Sequence, residues 1–266
     1  MLSKLLKHEF RATARILLPV YLLLAASTGL FCLTMLLSDK GPDLWALSVF
    51  RGLVIAAFVI TIIGAGLVTL ALMVYRFYKN YMTDEGYLMF TLPATTGQLI
   101  WSKLIVAMVW SVITFLAVAA ALALAVTVIP FVDLSGLRET LDYLLSQLSG
   151  GQIAAYIAEG AATALFSTLR SFLMFYAAIA LGHSFANHKI LLSVVFYIGF
   201  SIALQTATSF GGVFGIISAA ESDFFSGDPL IWTHTLSVLS IAAALVLTAV
   251  FYLVTHFCLK KRLNLQ

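Results

Sequence analysis

Charge is what this chain has least of. Only 10% of its 266 residues are charged, 62% are hydrophobic, and mean hydropathy is +1.03. So little polar surface excludes a soluble globular domain of this length. Cysteine is nearly absent too. Cys32 and Cys258 fall near opposite ends of the first and last apolar runs, farther apart than a disulfide spans. The chain contains no G-x-x-x-x-G-K-[ST] phosphate cradle, no H-E-x-x-H and no C-x-x-C. Its five histidines, His8, His183, His188, His234 and His256, are scattered and read as ordinary interface residues. No catalytic residues, metal site or cofactor is therefore expected in this chain. Its net charge of +3 carries no signal for nucleic acid.

What is present is a series of apolar runs at 16–38, 52–75, 104–132, 190–220 and 230–259, with a sixth at 160–181 broken only by Arg170. Each approaches or exceeds the roughly 20 residues that cross about 30 Å of hydrocarbon. The expected fold is one all-α integral membrane domain covering 1–266, with spans at 16–38, 50–76, 103–130, 157–181, 190–208 and 233–259. Basic residues set its orientation. With both termini cytoplasmic, Lys4, Lys7, Arg11, Arg15, Arg76, Lys79, Lys103, Lys189, Lys260, Lys261 and Arg262 lie inside, and Lys40, Arg51 and Arg138 outside. Eleven against three is a strong positive-inside bias.

Between the spans, three segments carry patterns. In 1–15, Leu2, Leu5, Leu6 and Phe10 form one helical stripe and Lys4, Lys7, Arg11 and Arg15 another. This predicts an interfacial helix lying on anionic lipid, with Pro19 at the turn into the membrane. The run that follows is too long for a signal peptide. The outer loop 131–156 predicts a short helix bearing Leu137, Leu141, Leu144, Leu145 and Leu148, ended by Gly150-Gly151. Span five is interrupted by SFGGVFG at 209–215, which predicts a helix to about Thr208 and an outer re-entrant hairpin through 209–232. One long tilted helix with flexible glycines is the competing reading.

The segment with most information is 76–103. Arg76, Tyr78, Lys79 and Tyr81 lead to Asp84-Glu85-Gly86, then the apolar run Tyr87–Phe90, then Leu92-Pro93. Thr95 with Gln98 three residues on makes a capping box for the next helix, which carries Ser102-Lys103. This arrangement resembles the first cytoplasmic loop of type-2 ABC exporter permeases, in which an acidic pair and Gly, an apolar run, a Pro turn and a small-residue-Lys step precede span three. The likeness extends along the chain to small six-span bacterial permeases that lack their own ATPase domain. It implies a cytoplasmic coupling helix over 79–90 between spans two and three. Asp84, Glu85, Tyr87, Leu88 and Phe90 would then contact a separate nucleotide-binding ATPase subunit that holds ATP and Mg. It further implies pairing with a second permease subunit, homomeric or heteromeric, in a bacterial plasma membrane. The bland reading of the same residues is an apolar run lying on the membrane with acids that only cap a helix.

Arg170 is the one charge deep in a span, expected to line a translocation route or subunit seam, or else to brace its own bundle. Few polar lining positions point to an amphiphilic substrate such as a peptide, drug or lipid-like compound. The alternative class is a membrane protein acting without an ATPase, as a secondary carrier or an immunity or scaffold-type protein. A carrier would be expected to show intramembrane acids and inverted repeats, and neither stands out.

Overall fold

In lipid every backbone N–H and C=O must be bonded within the protein, and a helix does this within one segment. The computed structural model describes the backbone of residues 2–38, 45–91, 93–129, 135–185, 187–221 and 229–261. Among these there is no strand. Eight helices follow in order: α1 Leu2–Ser38, α2 Trp45–Met82, α3 Glu85–Thr91, α4 Thr96–Val128, α5 Ser135–Gln147, α6 Gly150–Gly182, α7 Lys189–Glu221 and α8 Pro229–Lys261. All but α3 and α5 are long and apolar enough to cross a membrane. Thirty-three residues of α4, α6 or α8 rise about 50 Å, well beyond the hydrocarbon thickness. Most helical threonines return their hydroxyl to the carbonyl four residues back, as Thr28 does to Leu24 and Thr255 to Phe251. A polar side chain is thereby made compatible with an apolar surround.

Four expectations are corrected. The interfacial helix 1–15 is not a separate element, because α1 runs unbroken through Pro19. Its first turns are pinned from the side: the Trp110 indole N–H donates to Thr13 Oγ1 at 2.8 Å, and Phe10 packs on the same indole. The expected basic stripe is exposed at Lys4, Lys7, Arg11 and Arg15, whereas Leu2, Leu5, Leu6 and Phe10 are only part-buried and the buried face is Glu9, Thr13 and Leu17. The coupling segment 79–90 is divided. Lys79–Met82 is the end of α2, and the short helix is α3. A turn at Thr83-Asp84 separates them, closed by the Gly86 N–H donating to Thr83 O at 2.7 Å.

The third correction concerns Gly150-Gly151, which opens α6. Ser149 caps that helix, with reciprocal bonds to Gln152, so span four starts seven residues before the expected 157. The fourth concerns span five. The α7 backbone stays helical through 209–215 to Glu221, so the helix does not end at Thr208. No proline interrupts it, and glycine costs a helix far less than unbonded backbone costs in an apolar medium. The stretch 222–228, which includes Asp223, lies outside the described residues, as do the loops around Asp39 and Asp133.

The chain divides into two compact units. The first comprises Met1–Tyr75 and Ile105–Gln147. Its core is Leu24, Phe31, Val54, Phe58, Ala65, Ala121 and Ala125, with the Phe31 and Phe58 rings stacked at 4.6 Å. The alanines let helices approach closely where lipid supplies no hydrophobic driving force. Hydroxyl pairs join its helices: Tyr21 to Thr114 at 2.7 Å, Thr69 to Thr114 at 3.0 Å and Ser27 to Thr61 at 2.7 Å.

The second unit comprises Arg76–Leu104 and Leu148–Gln266. In it α6 packs against both α7 and α8. At the α6–α7 corner a Cβ on Gly182 would lie 2.1 Å from Ser193 Oγ and 2.7 Å from Ser193 Cα, so only glycine permits this approach.

Candidate functional site

The end of α2, the short helix α3 and the start of α4 form one built corner of the second unit. Tyr81 is fully buried and its hydroxyl donates to Leu99 O at 2.9 Å, tying the end of α2 to the first turn of α4. Lys103 is also buried, with its ammonium 5.6 Å from the Tyr81 ring centre. That distance suits a cation over an aromatic face. Phe77 stacks on Tyr176 of α6 with centroids 4.0 Å apart and planes 5° from parallel, and Tyr78 meets His183 edge to face. The capping box is present: Gln98 N–H donates to Thr95 Oγ1 at 3.3 Å, and Thr95 N–H donates to Gln98 Oε1 at 3.2 Å. Gly97 leaves room for the Tyr252 hydroxyl of α8, which a Cβ would approach to 3.1 Å.

Upon this base the α3 segment is displayed. Asp84 and Glu85 are exposed, Tyr87 is 52% exposed, and Lys79 pairs with Glu85 at 3.1 Å across the turn. Residues Asp84, Glu85 and Tyr87 are thus brought together on one protruding turn. The side chains of Leu88 and Phe90, expected to act with them, lie outside the described residues. The corner thus has buried aromatics beneath and exposed acids with a tyrosine above.

A second polar cluster sits near the other end of α6. The Glu159 carboxylate accepts from Ser237 Oγ at 2.6 Å and lies 2.6 Å from His234 Nδ1, while Tyr156 stacks on the His234 ring at 4.3 Å. The carboxylate is the shared partner. The Ser237 hydroxyl is directed to it and not to the imidazole, so this is no nucleophile-base relay. Sequence reasoning set His234 aside, because its partner is 75 residues away on another helix. The available signal was that His234 and Ser237, three residues apart, share a helix face.

Arg170 is half-buried and, among the described residues, makes no hydrogen bond or ion pair. It lies eleven residues beyond Glu159 on α6, three turns or about 16 Å along the same face. Thr248 lies eleven beyond Ser237 on α8. Glu159 meets Ser237, so Arg170 and Thr248 occupy matching depths of the α6–α8 seam. The Thr248 and Thr163 hydroxyls are buried without a hydrogen-bond partner, unlike most helical threonines here.

Where α6 hands over to α7, His183 is buried, and its Nδ1 is 2.9 Å from Ile179 O and 3.4 Å from Ser193 Oγ. Burial holds its pKa below the ordinary histidine value, and the charge of Lys189 acts in the same direction, partly opposed by the Ile179 carbonyl. Comparison of the chain with protein-family models, with curated proteins and with solved structures found no match.

Proposed function

We propose that this chain is the membrane-spanning permease subunit of an ATP-driven exporter of the type-2 ABC class, with α3 as its coupling helix. The observation that carries this reading is the α2–α3–α4 corner, where a seven-residue helix exposes Asp84, Glu85 and Tyr87 above a rigid aromatic base. A helix so placed lets a soluble subunit push on two spans at once. On this reading a separate nucleotide-binding subunit holds ATP and Mg and docks on α3, and a second permease copy or paralogue completes the path. On the same reading Arg170 lines the route of an amphiphilic substrate. The location is a bacterial plasma membrane with both termini cytoplasmic, supported by the six apolar helices and the bias of basic residues.

The test is co-purification with a Walker-motif ATPase co-expressed from a neighbouring gene. Charge reversal at Asp84 and Glu85, or Tyr87→Ala with Leu88→Ala, is expected to cut recovery of the ATPase roughly tenfold, about 1.4 kcal/mol, at unchanged membrane insertion. Full binding and transport in both variants would remove the assignment.

One observation favours the second class, an ATPase-independent carrier. Glu159 lies near one end of an apolar helix long enough to span and is paired with His234, a carboxylate of the kind a proton-coupled mechanism uses. Transport in proteoliposomes driven by a proton gradient without ATP would select this reading.

A further inference from the structure

The second unit contains an open cleft of about 410 Å³ where the end of α2 faces the α6–α7 connection. Its polar wall is Tyr78, His183, His188 and Lys189, and its apolar wall includes Met82 and Ile190. We propose that this cleft binds the headgroup of an anionic, hydroxyl-bearing phospholipid.

The chemistry follows from the two walls. Lys189 places an ammonium-bearing side chain on the wall of the cleft, the group that suits phosphodiester oxygens. His188 stands beside it at φ 55°, a left-handed backbone conformation that a non-glycine residue seldom adopts. His183 is neutral near physiological pH, because burial opposes its protonation. With Nδ1–H bonded to Ile179 O, its other ring nitrogen is an acceptor, matched to a hydroxyl on the headgroup. The volume falls within the range of small-ligand sites.

The apolar side decides between a lipid and a free anion. Ile190 is 65% and Leu191 61% exposed, and Val194, Ile198 and Ile202 continue an exposed apolar strip along α7. Acyl chains anchored by a headgroup in the cleft would lie along that strip. A soluble phosphate would leave it without a role.

The experiment uses the full chain in nanodiscs of phosphatidylcholine alone or with phosphatidylglycerol. Phosphatidylglycerol is expected to raise the thermal midpoint by roughly 5 °C, the size of effect a ligand gives at about a hundred times its Kd. His188→Gly removes the imidazole while suiting the backbone there, and Lys189→Gln removes the charge. Each should lose most of the shift and of the phosphatidylglycerol retained in native mass spectrometry, whereas Lys260→Gln keeps both. Glycerol phosphate added to phosphatidylcholine discs should give no shift. An equal shift there would retain the anion site but move its source to solution. An unchanged phosphatidylglycerol shift in both cleft variants would overturn the site. None of these outcomes depends on an ATPase partner, so the exporter reading stands or falls separately.

Discussion

The two units handle buried polarity in opposite ways. In the first, hydroxyls are matched to each other: Thr114 serves both Tyr21 and Thr69, Ser27 serves Thr61, and the Trp110 N–H serves Thr13. In the second, Glu159 gathers two partners at one end of the α6–α8 seam. Among the described residues of that unit, the Thr163 and Thr248 hydroxyls are buried without a hydrogen-bond partner. Satisfied networks hold helices in one arrangement, and unsatisfied groups in an apolar medium mark places where something else binds or passes. On the exporter reading, the difference would separate a scaffold from a working seam.

The comparison breaks first if the second unit is not tightly built where it needs to be. Gly182→Ala is expected to lose about 3 kcal/mol or more, because Ser193 meets the new methyl with backbone as well as side chain. Ser193→Ala should not rescue it. Monodispersity and melting in detergent measure both.

Arg170 tests the seam itself. If the chain is the proposed exporter subunit, Arg170→Leu should abolish transport while leaving melting unchanged or higher, since loss of the charge relieves roughly 2.5–3.5 kcal/mol of insertion cost. Arg170→Lys should retain activity. If both lower the melting temperature and Lys fails to replace Arg, the residue braces the bundle and the contrast between the units disappears.

In the first unit, Trp110→Phe is expected to cost about 1–3 kcal/mol, and a double-mutant cycle with Thr13→Val should return a coupling near 1 kcal/mol. Additive effects would mean that this hydrogen bond does not organise the start of α1.

His183 predicts a smaller, pH-dependent effect. Its folded pKa lies below the unfolded value of 6.5, so the unfolded chain binds more protons in that window. The stability it contributes is complete above pH 6.5 and is lost as pH falls below it toward the folded pKa. Melting followed through this range should flatten in His183→Gln. The smallest effect belongs to Lys79 and Glu85, both about half exposed. Breaking that pair should cost under about 1 kcal/mol and vanish in high salt.

Much of the fold was legible in the sequence, because a membrane imposes one rule on every span: apolar length. Helix ends were less so. Gly150-Gly151 looks like a stop by composition, and only Ser149 with Gln152 identifies it as a start. Pro19 reads as a turn because the lateral bond from Trp110 to Thr13 joins residues 97 apart, beyond any local pattern. The α2–α3–α4 corner was legible as a segment, since its acids, turn and capping box are contiguous. Its foundation, Phe77 on Tyr176 and Tyr81 on Leu99, was not. The Glu159–His234–Ser237 cluster was invisible for the same reason, being assembled by packing between helices.

The close passage of Gly182 past Ser193 also works as a hereditary mark. Chains that share this bundle should carry glycine, and a small residue eleven positions later, even where every lipid-facing position has drifted among Leu, Ile, Val and Phe.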